Sequence, residues 1–261
     1  VSPAEDLVQL LPADLGPGAR GGFTARAGGV SGGPYAGGTG GGLNLGLRVG
    51  DDPAAVLANR DRVAAALGAP VGWMDQVHGA AVRVLDGAPD PRSEGECDGL
   101  VALAGSAGPV AAGVLVADCV PVLLAAADGS AVAAVHVGRQ GLVRGVLPAA
   151  LDRLAELGVP PAGLHAAVGP SICGRCYEVP AALREEVAAQ VPGTAATTAW
   201  GTPALDLPAG VLGQLAARGV TRVHHVQACT REDARFYSYR RAGEHGAGPT
   251  GRFAGVVRTA A

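Results

Sequence analysis

The sequence predicts a single mixed α/β domain. Three observations predict it: a helix with both ends marked in residues 51–70, apolar runs rich in β-branched residues lying between further helical segments, and no linker or internal repeat that would divide the chain. With 261 residues, 48% hydrophobic and 16% charged, the chain can bury one sizeable core. Aromatics are 3%, so Val, Leu and Ala must build it.

Taken in order, residues 1–20 read as an N-terminal lead-in to a domain spanning 21–261. Residues 21–50, "GGFTARAGGVSGGPYAGGTGGGLNLGLRVG", are glycine-rich but lack the GK[ST] ending of a phosphate loop, so they read as a turn-rich loop. "DDPAAVLANRDRVAAALGAP" is a helix: Asp51 or Asp52 caps it, Pro53 suits the first turn, and Gly68 with Pro70 stops it. "VGWMDQVHGAAVRVL" alternates and reads as a strand around His78. Helices are predicted within 146–157 (despite Pro148), 180–190 and 208–218, the last leading into a strand in "VTRVHHVQACT".

Composition excludes several functions. The net charge of −3, without a basic block, offers nucleic acid no electrostatic footprint. All twenty basic residues are arginines, which removes P-loop lysines, Schiff-base lysines and ordinary PLP chemistry. No run of 18 apolar residues suggests a membrane span, and the N-terminal residues do not resemble a signal peptide. Five cysteines, an odd number, fit a reducing cytoplasm better than a disulfide framework. No heptad or exposed apolar stripe argues for an oligomer, so a monomer is expected.

The chemistry concentrates in "VLVADCVPVLLAAADGSAVAAVHVGRQG", residues 114 to 141, where Asp118, Cys119 and His136 interrupt small apolar side chains. Asp128-Gly129 between two apolar runs is a strong hairpin signal. Pairing Ala127 with Ser130 and counting outward sets His136 opposite Pro121 and Cys119 opposite Gly138. Cys119 and His136 then share a face as diagonal neighbours, with Cβ atoms about 7 Å apart. A zinc ion can lie between them, but a one-residue slip in register would separate them. Pro121 lacks an N–H, which predicts irregular or edge pairing beside the thiol. A third ligand is required, and spacing leaves His78, His165, His224, His225 and His245 open. His78 in "DQVHG" stands at a predicted strand end before a glycine.

An ordered series of motifs runs from about residue 23 to 252: "FTARAGGVSGGPY", "LNLG", "DQVHG", "CDGLV", "ADCVPVLL", "AVHVGRQG", "VGPSICGRCYEV", "FYSYRR" and "TGR". The series resembles the multicopper polyphenol oxidase (laccase-domain) family, also called the purine nucleoside phosphorylase or peptidoglycan editing factor family. The resemblance implies an α+β fold, a compact four-layer αββα-type sandwich with mixed β-sheets in a single domain. It also implies a metal site made of His78, Cys119 and His136. The implied activities are phosphorolysis of adenosine, inosine and methylthioadenosine, together with adenosine deamination, in the bacterial cytoplasm. One departure stands out: the family's HAGWRG motif reads "HVGRQG", with Arg139 at the tryptophan position and Gln140 at the arginine position.

A three-ligand zinc with an open position acidifies its water to a pKa of roughly 7, the chemistry of zinc deaminases. Asp118 is the nearest candidate for proton carrier, or else for a group that holds a zinc histidine from behind. Asp75, Glu96 and Asp98 are alternatives for the carrier. Arginine forks suit phosphate oxygens, and Arg26, Arg48, Arg139, Arg240 and Arg241 lie in or beside motifs, with Arg26 and Arg241 the readiest to be plain surface charges. Asn44 and Gln76 are amides suited to ribose hydroxyls or a purine edge. Cys173 and Cys176 form one CxxC, read as structural. Three competing readings are a copper-dependent phenol oxidase, a cysteine hydrolase with Cys119 as nucleophile and His136 as base, and a structural metal site.

Overall fold

Strands come in long runs in the first half of the chain and are interleaved with helices in the second. In order they are β1 (Leu10–Pro12), β2 (Ala19–Thr24), β3 (Ala27–Ser31), α1 (Pro53–Leu67), β4 (Val71–Trp73), β5 (Val82–Val84), β6 (Gly99–Leu103), β7 (Ala111–Val116), β8 (Val120–Ala126) and β9 (Ala131–Val137). Then follow α2 (Arg139–Arg144), α3 (Val146–Glu156), β10 (Leu164–Val168), α4 (Ala181–Gln190), β11 (Ala195–Thr197), β12 (Pro203–Leu205), α5 (Leu207–Ala217), β13 (Arg222–His225), α6 (Tyr239–Glu244) and β14 (Phe253–Thr259). The structure, a computed structural model, describes residues 8–38, 40–105, 108–244, 246 and 248–260.

Two mixed sheets form the middle of a four-layer sandwich. One has the order β1-β2-β14-β7-β4, the other β13-β10-β8-β9-β6-β5; β11 and β12 form a separate ribbon. Between the sheets lie Phe23, Val114, Val116, Leu123, Ala125, Val132 and Ala134. The far face of the six-stranded sheet meets α3 and α5 through Val120, Val122, Val135, Leu147, Leu151 and Val211. The far face of the five-stranded sheet is covered by α1 through Val63 and Leu67. The expected four-layer αββα sandwich is the observed one, and no described helix is long and apolar enough to cross a membrane.

Local chemistry explains the elements. Asp52 caps α1 by accepting from the Ala54 N–H, Pro53 opens it, and Gly68 closes it at φ 71°. Pro148 falls in the first turn of α3, where a missing N–H costs nothing. In the hairpin, Pro121 pairs with His136 and Val120 with Val137, the register read from Asp128-Gly129. Even-numbered residues of β8 face the helices and odd-numbered ones face the opposite sheet; His136 of β9 shares that inner face with Cys119.

Four expectations need correction. The presumed lead-in is partly sheet, because β1 pairs antiparallel with β2 and joins the domain before residue 21. The glycine-rich stretch contributes to β2 and β3 rather than being loop throughout. Pro121 is not at an edge: β8 lies between β10 and β9, and the Pro121 carbonyl accepts from the Gly169 N–H while the paired His136 N–H turns the other way to the Asp98 carbonyl. Finally, His78 does not sit in a strand. The chain leaves β4, turns through His78 at φ 57°, and only later enters β5.

Candidate metal centre and active-site pocket

The His78 turn is wrapped around a buried carboxylate. Asp98 is fully buried; its Oδ1 accepts from the His78 N–H (3.0 Å) and its Oδ2 from the Gly79 (2.6 Å) and Val77 (3.3 Å) N–H groups. The same Oδ1 lies 2.7 Å from His136 Nδ1. Burial would raise the Asp98 carboxyl pKa, but the hydrogen bonds from His136, Gly79 and Val77 outweigh it and hold the pKa below the usual carboxylate range. Since an ionised carboxylate only accepts, His136 Nδ1 carries the hydrogen. Nε2 is the nitrogen left for a ligand. Arg144 on α2 adds a second tie, donating to the His78 carbonyl at 3.1 Å.

Cys119 completes the cluster. His78 Nε2 lies 3.8 Å from its Sγ, the two imidazoles meet edge to face with centroids 4.7 Å apart, and the donor atoms of all three residues lie within 4.8 Å of one another. Burial alone would push the Cys119 thiol up; the His136 charge and hydrogen bonds from both histidines reverse this and bring it down to about 6. Burial likewise opposes charge on His136, yet Cys119 and then Asp98 raise it to about 9. A soft thiolate and two imidazole nitrogens are a donor set for zinc or copper, with one position left open. Gly138 keeps that space clear: a Cβ there would stand 2.7 Å from His78 Cδ2 and 3.1 Å from Cys119 Sγ. Among the described residues, only His78 (φ 57°) and Asp118 (φ 92°) are non-glycine residues at positive φ, so backbone strain of about 1–3 kcal/mol each is held at this centre.

The cluster opens into a cavity of about 680 Å³. Its described lining carries six arginines (48, 60, 92, 139, 240 and 252) against two aspartates (75 and 118), which favours an anionic ligand. Arg139 and Tyr177 both line it, whereas Gln140 is exposed. Arg240 also lines it, with its guanidinium 5.3 Å from the Tyr177 ring centroid. Arg48 reaches the rim, paired to Asp75 at 2.6 Å.

Other expected residues are brought elsewhere. Asn44 is fully buried and outside the cavity lining: its Oδ1 accepts from the Gly46 and Arg252 N–H groups, and its Nδ2 donates to Asp51. Gln76 lines the cavity, but its amide is paired in both directions with the Leu115 backbone. Asp118 holds neither histidine; its Oδ1 accepts from Thr230 Oγ1 (2.6 Å) and its Oδ2 from the Arg240 N–H (2.7 Å). Asp98 is the carboxylate behind the histidines. Arg26 and Arg241 are spent on backbone carbonyls. Of the open candidates for third ligand, His78 is the one placed beside Cys119; His165 lies on β10, His224 and His225 lie on neighbouring β13, and His245 lies outside the described residues. Arg252 and Tyr177 were missed, although "TGR" and "CYEV" contain them. Arg252 lines the same cavity, and burial lowers its pKa, opposed by the charges of Cys119 and Asp118.

Comparison with known proteins bears on the family and the fold. Residues 20–260 match the family described as multi-copper polyphenol oxidoreductase laccase. The chain belongs to that family. Relatives of this laccase-family chain include a purine nucleoside phosphorylase of Streptomyces coelicolor, 51% identical over 92% of this chain and 95% of that one. A purine nucleoside phosphorylase of Mycobacterium tuberculosis is 47% identical over 90% of this chain and 89% of its own. Among solved structures, a Neisseria meningitidis protein aligns with TM-score 0.79 and 32% identity, covering 96% of this chain and 98% of that one. YlmD from Geobacillus stearothermophilus aligns with TM-score 0.79 and 28% identity, covering 97% and 98%.

Proposed function

We propose that the protein is a metal-dependent purine nucleoside phosphorylase that releases the free base and ribose 1-phosphate from adenosine, inosine or methylthioadenosine, and that it also deaminates adenosine. The observation that carries this reading is a three-donor centre at the wall of an arginine-rich cavity whose volume suits a small molecule. The names of the relatives point the same way.

His78, Cys119 and His136 would hold the metal, zinc or copper. When bound, it supplies Lewis acidity and an activated water at neutral pH. The chain's own residues set the rest. Asp98 fixes both histidines and keeps His136 in the ligand tautomer. Arg139, Arg240 and Arg252 offer guanidinium forks to phosphate, so Arg139 takes over from the arginine absent at Gln140. Asp118 is a positioning residue: by anchoring Thr230 and the Arg240 backbone it sets the wall beside Cys119. Met74, Ile172 and Leu207 supply apolar surface for a purine face.

A multicopper oxidase needs several histidine-rich sites close together. The other metal-capable group among the described residues contains three thiols and a carboxylate and no histidine, which favours the nucleoside reading over the phenol oxidase. A net charge of −3 without a basic block fits an enzyme acting on small molecules rather than nucleic acid, and the odd cysteine number fits the cytoplasm. A sequence with no heptad, apolar stripe or 18-residue apolar run fits a monomer away from the membrane.

The test is chromatography of adenosine and inosine incubated with metal-loaded protein, with and without phosphate. Free base that forms only with phosphate supports phosphorolysis, and inosine from adenosine without phosphate supports deamination. Neither product, or full turnover in Cys119→Ala, would overturn the assignment. Activity that survives complete metal removal would point to Cys119 as a nucleophile instead.

A further inference from the structure

Cys173 and Cys176, an isolated CxxC in the sequence, acquire partners in the fold. Their Sγ atoms, the Cys229 Sγ and a Glu232 carboxylate oxygen all lie within 4.8 Å of one another. The four donors come from two turns of the same design. In the first, the Cys176 N–H donates to the Cys173 carbonyl; in the second, the Glu232 N–H donates to the Cys229 carbonyl. Each turn therefore presents residues i and i+3 on one side, the spacing of metal-binding knuckles. Ser171 bridges Cys229 in parallel, with the Thr230 N–H on the Ser171 carbonyl, and this seats the two turns against each other.

The Cys173 backbone N–H points into the cluster, donating to Cys229 Sγ at 3.5 Å. Arg231 brings its guanidinium to 3.8 Å from Cys176 Sγ while paired to Glu244 and stacked over Trp200. Hydrogen bonds to sulfur and a fixed cation are what a cluster of thiolates needs, since three thiolates and a carboxylate exceed the charge of one divalent ion.

We infer that Cys173, Cys176, Cys229 and Glu232 form a second, structural metal site, selective for zinc. Tetrahedral zinc with bonds of about 2.3 Å sets sulfurs about 3.8 Å apart, which the cluster reaches by a small contraction of side chains. A disulfide would use two sulfurs and leave a thiol and a carboxylate without purpose. Three thiolates exclude magnesium and calcium, and the carboxylate favours zinc over copper(I). The site ties the segment bearing Ile172 and Tyr177 to the loop whose Thr230 holds Asp118, so it braces one wall of the cavity. It is independent of the chemistry assigned to the first centre.

The experiment uses the Cys119→Ala protein, which removes the thiolate of the first centre. It is loaded with zinc under reductant, passed through a desalting column and analysed for metal. The expected result is one zinc per chain, with a thiolate-to-cobalt charge-transfer band when cobalt(II) replaces it. Adding Cys173→Ser and Cys176→Ser abolishes both signals. Adding Glu232→Gln, an exposed position chosen to preserve the fold as checked by circular dichroism, weakens zinc about tenfold or more in competition with a chromophoric chelator. The inference is overturned if Cys119→Ala retains no zinc while its thiols titrate as free. It also fails if zinc persists unchanged in the double serine variant, or if protein purified without added oxidant carries a disulfide between any two of these cysteines.

Discussion

Asp98→Asn exposes how the first centre is held. The carboxylate has two jobs: Oδ1 serves His136 Nδ1 and the His78 N–H, while Oδ2 serves Gly79 and, more weakly, Val77. An asparagine can turn its amide either way. With its oxygen at the Oδ1 position, the NH₂ group faces two backbone N–H donors and leaves them unpaired, at about 1–3 kcal/mol each. In the reverse orientation the NH₂ group faces His136, so Nδ1 must accept, Nε2 must carry the hydrogen, and the ligand lone pair is lost. Both outcomes damage the centre. The expected stability loss in the metal-free protein is about 3 kcal/mol, a drop in melting temperature of roughly 6–12 °C for a chain of this size. Zinc affinity should fall about 10–100-fold. Calorimetry of the metal-free protein and chelator competition at 20 °C, where the variant is folded, read the two effects separately. Wild-type zinc affinity together with a melting temperature within roughly 2 °C of wild type would refute the claim that Asp98 organises both histidines.

Gly138 has φ −83°, which alanine adopts freely, so Gly138→Ala tests only the space between His78 and Cys119. It should fold normally yet lose roughly a hundredfold in turnover, because reacting groups are displaced by part of an ångström. Arg139→Leu should raise the phosphate KM by roughly 10–100-fold, the equivalent of 1.5–3 kcal/mol for a charged hydrogen bond, with little change in phosphate-independent deamination. Asn44→Ala should cost about 2–3 kcal/mol in urea unfolding, since the Gly46 and Arg252 N–H groups lose their acceptor. In metal-free protein, Cys119 should react with iodoacetamide at pH 7 and slow as pH falls through about 6, because a lowered pKa keeps the thiolate present down to that value. Cys97, buried and pushed up to about 12, should stay unmodified, as peptide mapping would show.

The hairpin shows how much of the site is legible in the chain. A period of two, a turn at Asp128-Gly129 and apolar residues on both faces were enough to set Pro121 opposite His136 and so to aim Cys119 and His136 at one face. The ladder stops at Ala125 with Val132, so the turn is wider than two residues, yet the register is unchanged. The His78 segment was misread for a reason that has nothing to do with its own pattern. Its alternation suits a strand, but three successive N–H groups find a better acceptor in Asp98, twenty residues away, than in a neighbouring strand. Asn44 and Gln76 looked like ligand-binding amides because their residue type is suited to that task; buried backbone groups of their own chain claim them first.

By itself, the sequence determined the mixed α/β class, the caps of α1, the hairpin register and the pairing of thiol with imidazole, all of which follow from interactions within a few residues or across one turn. Tertiary structure alone decided which carboxylate stands behind the histidines, which arginines face the cavity, and that Cys229 and Glu232 meet the CxxC. Asp98 and His136 are separated by 38 residues, and Asp118 and Thr230 by 112. Local propensity and periodicity describe how a segment bends; they carry no information about which distant segment will be packed against it, and it is that packing which chooses a partner for each buried polar group.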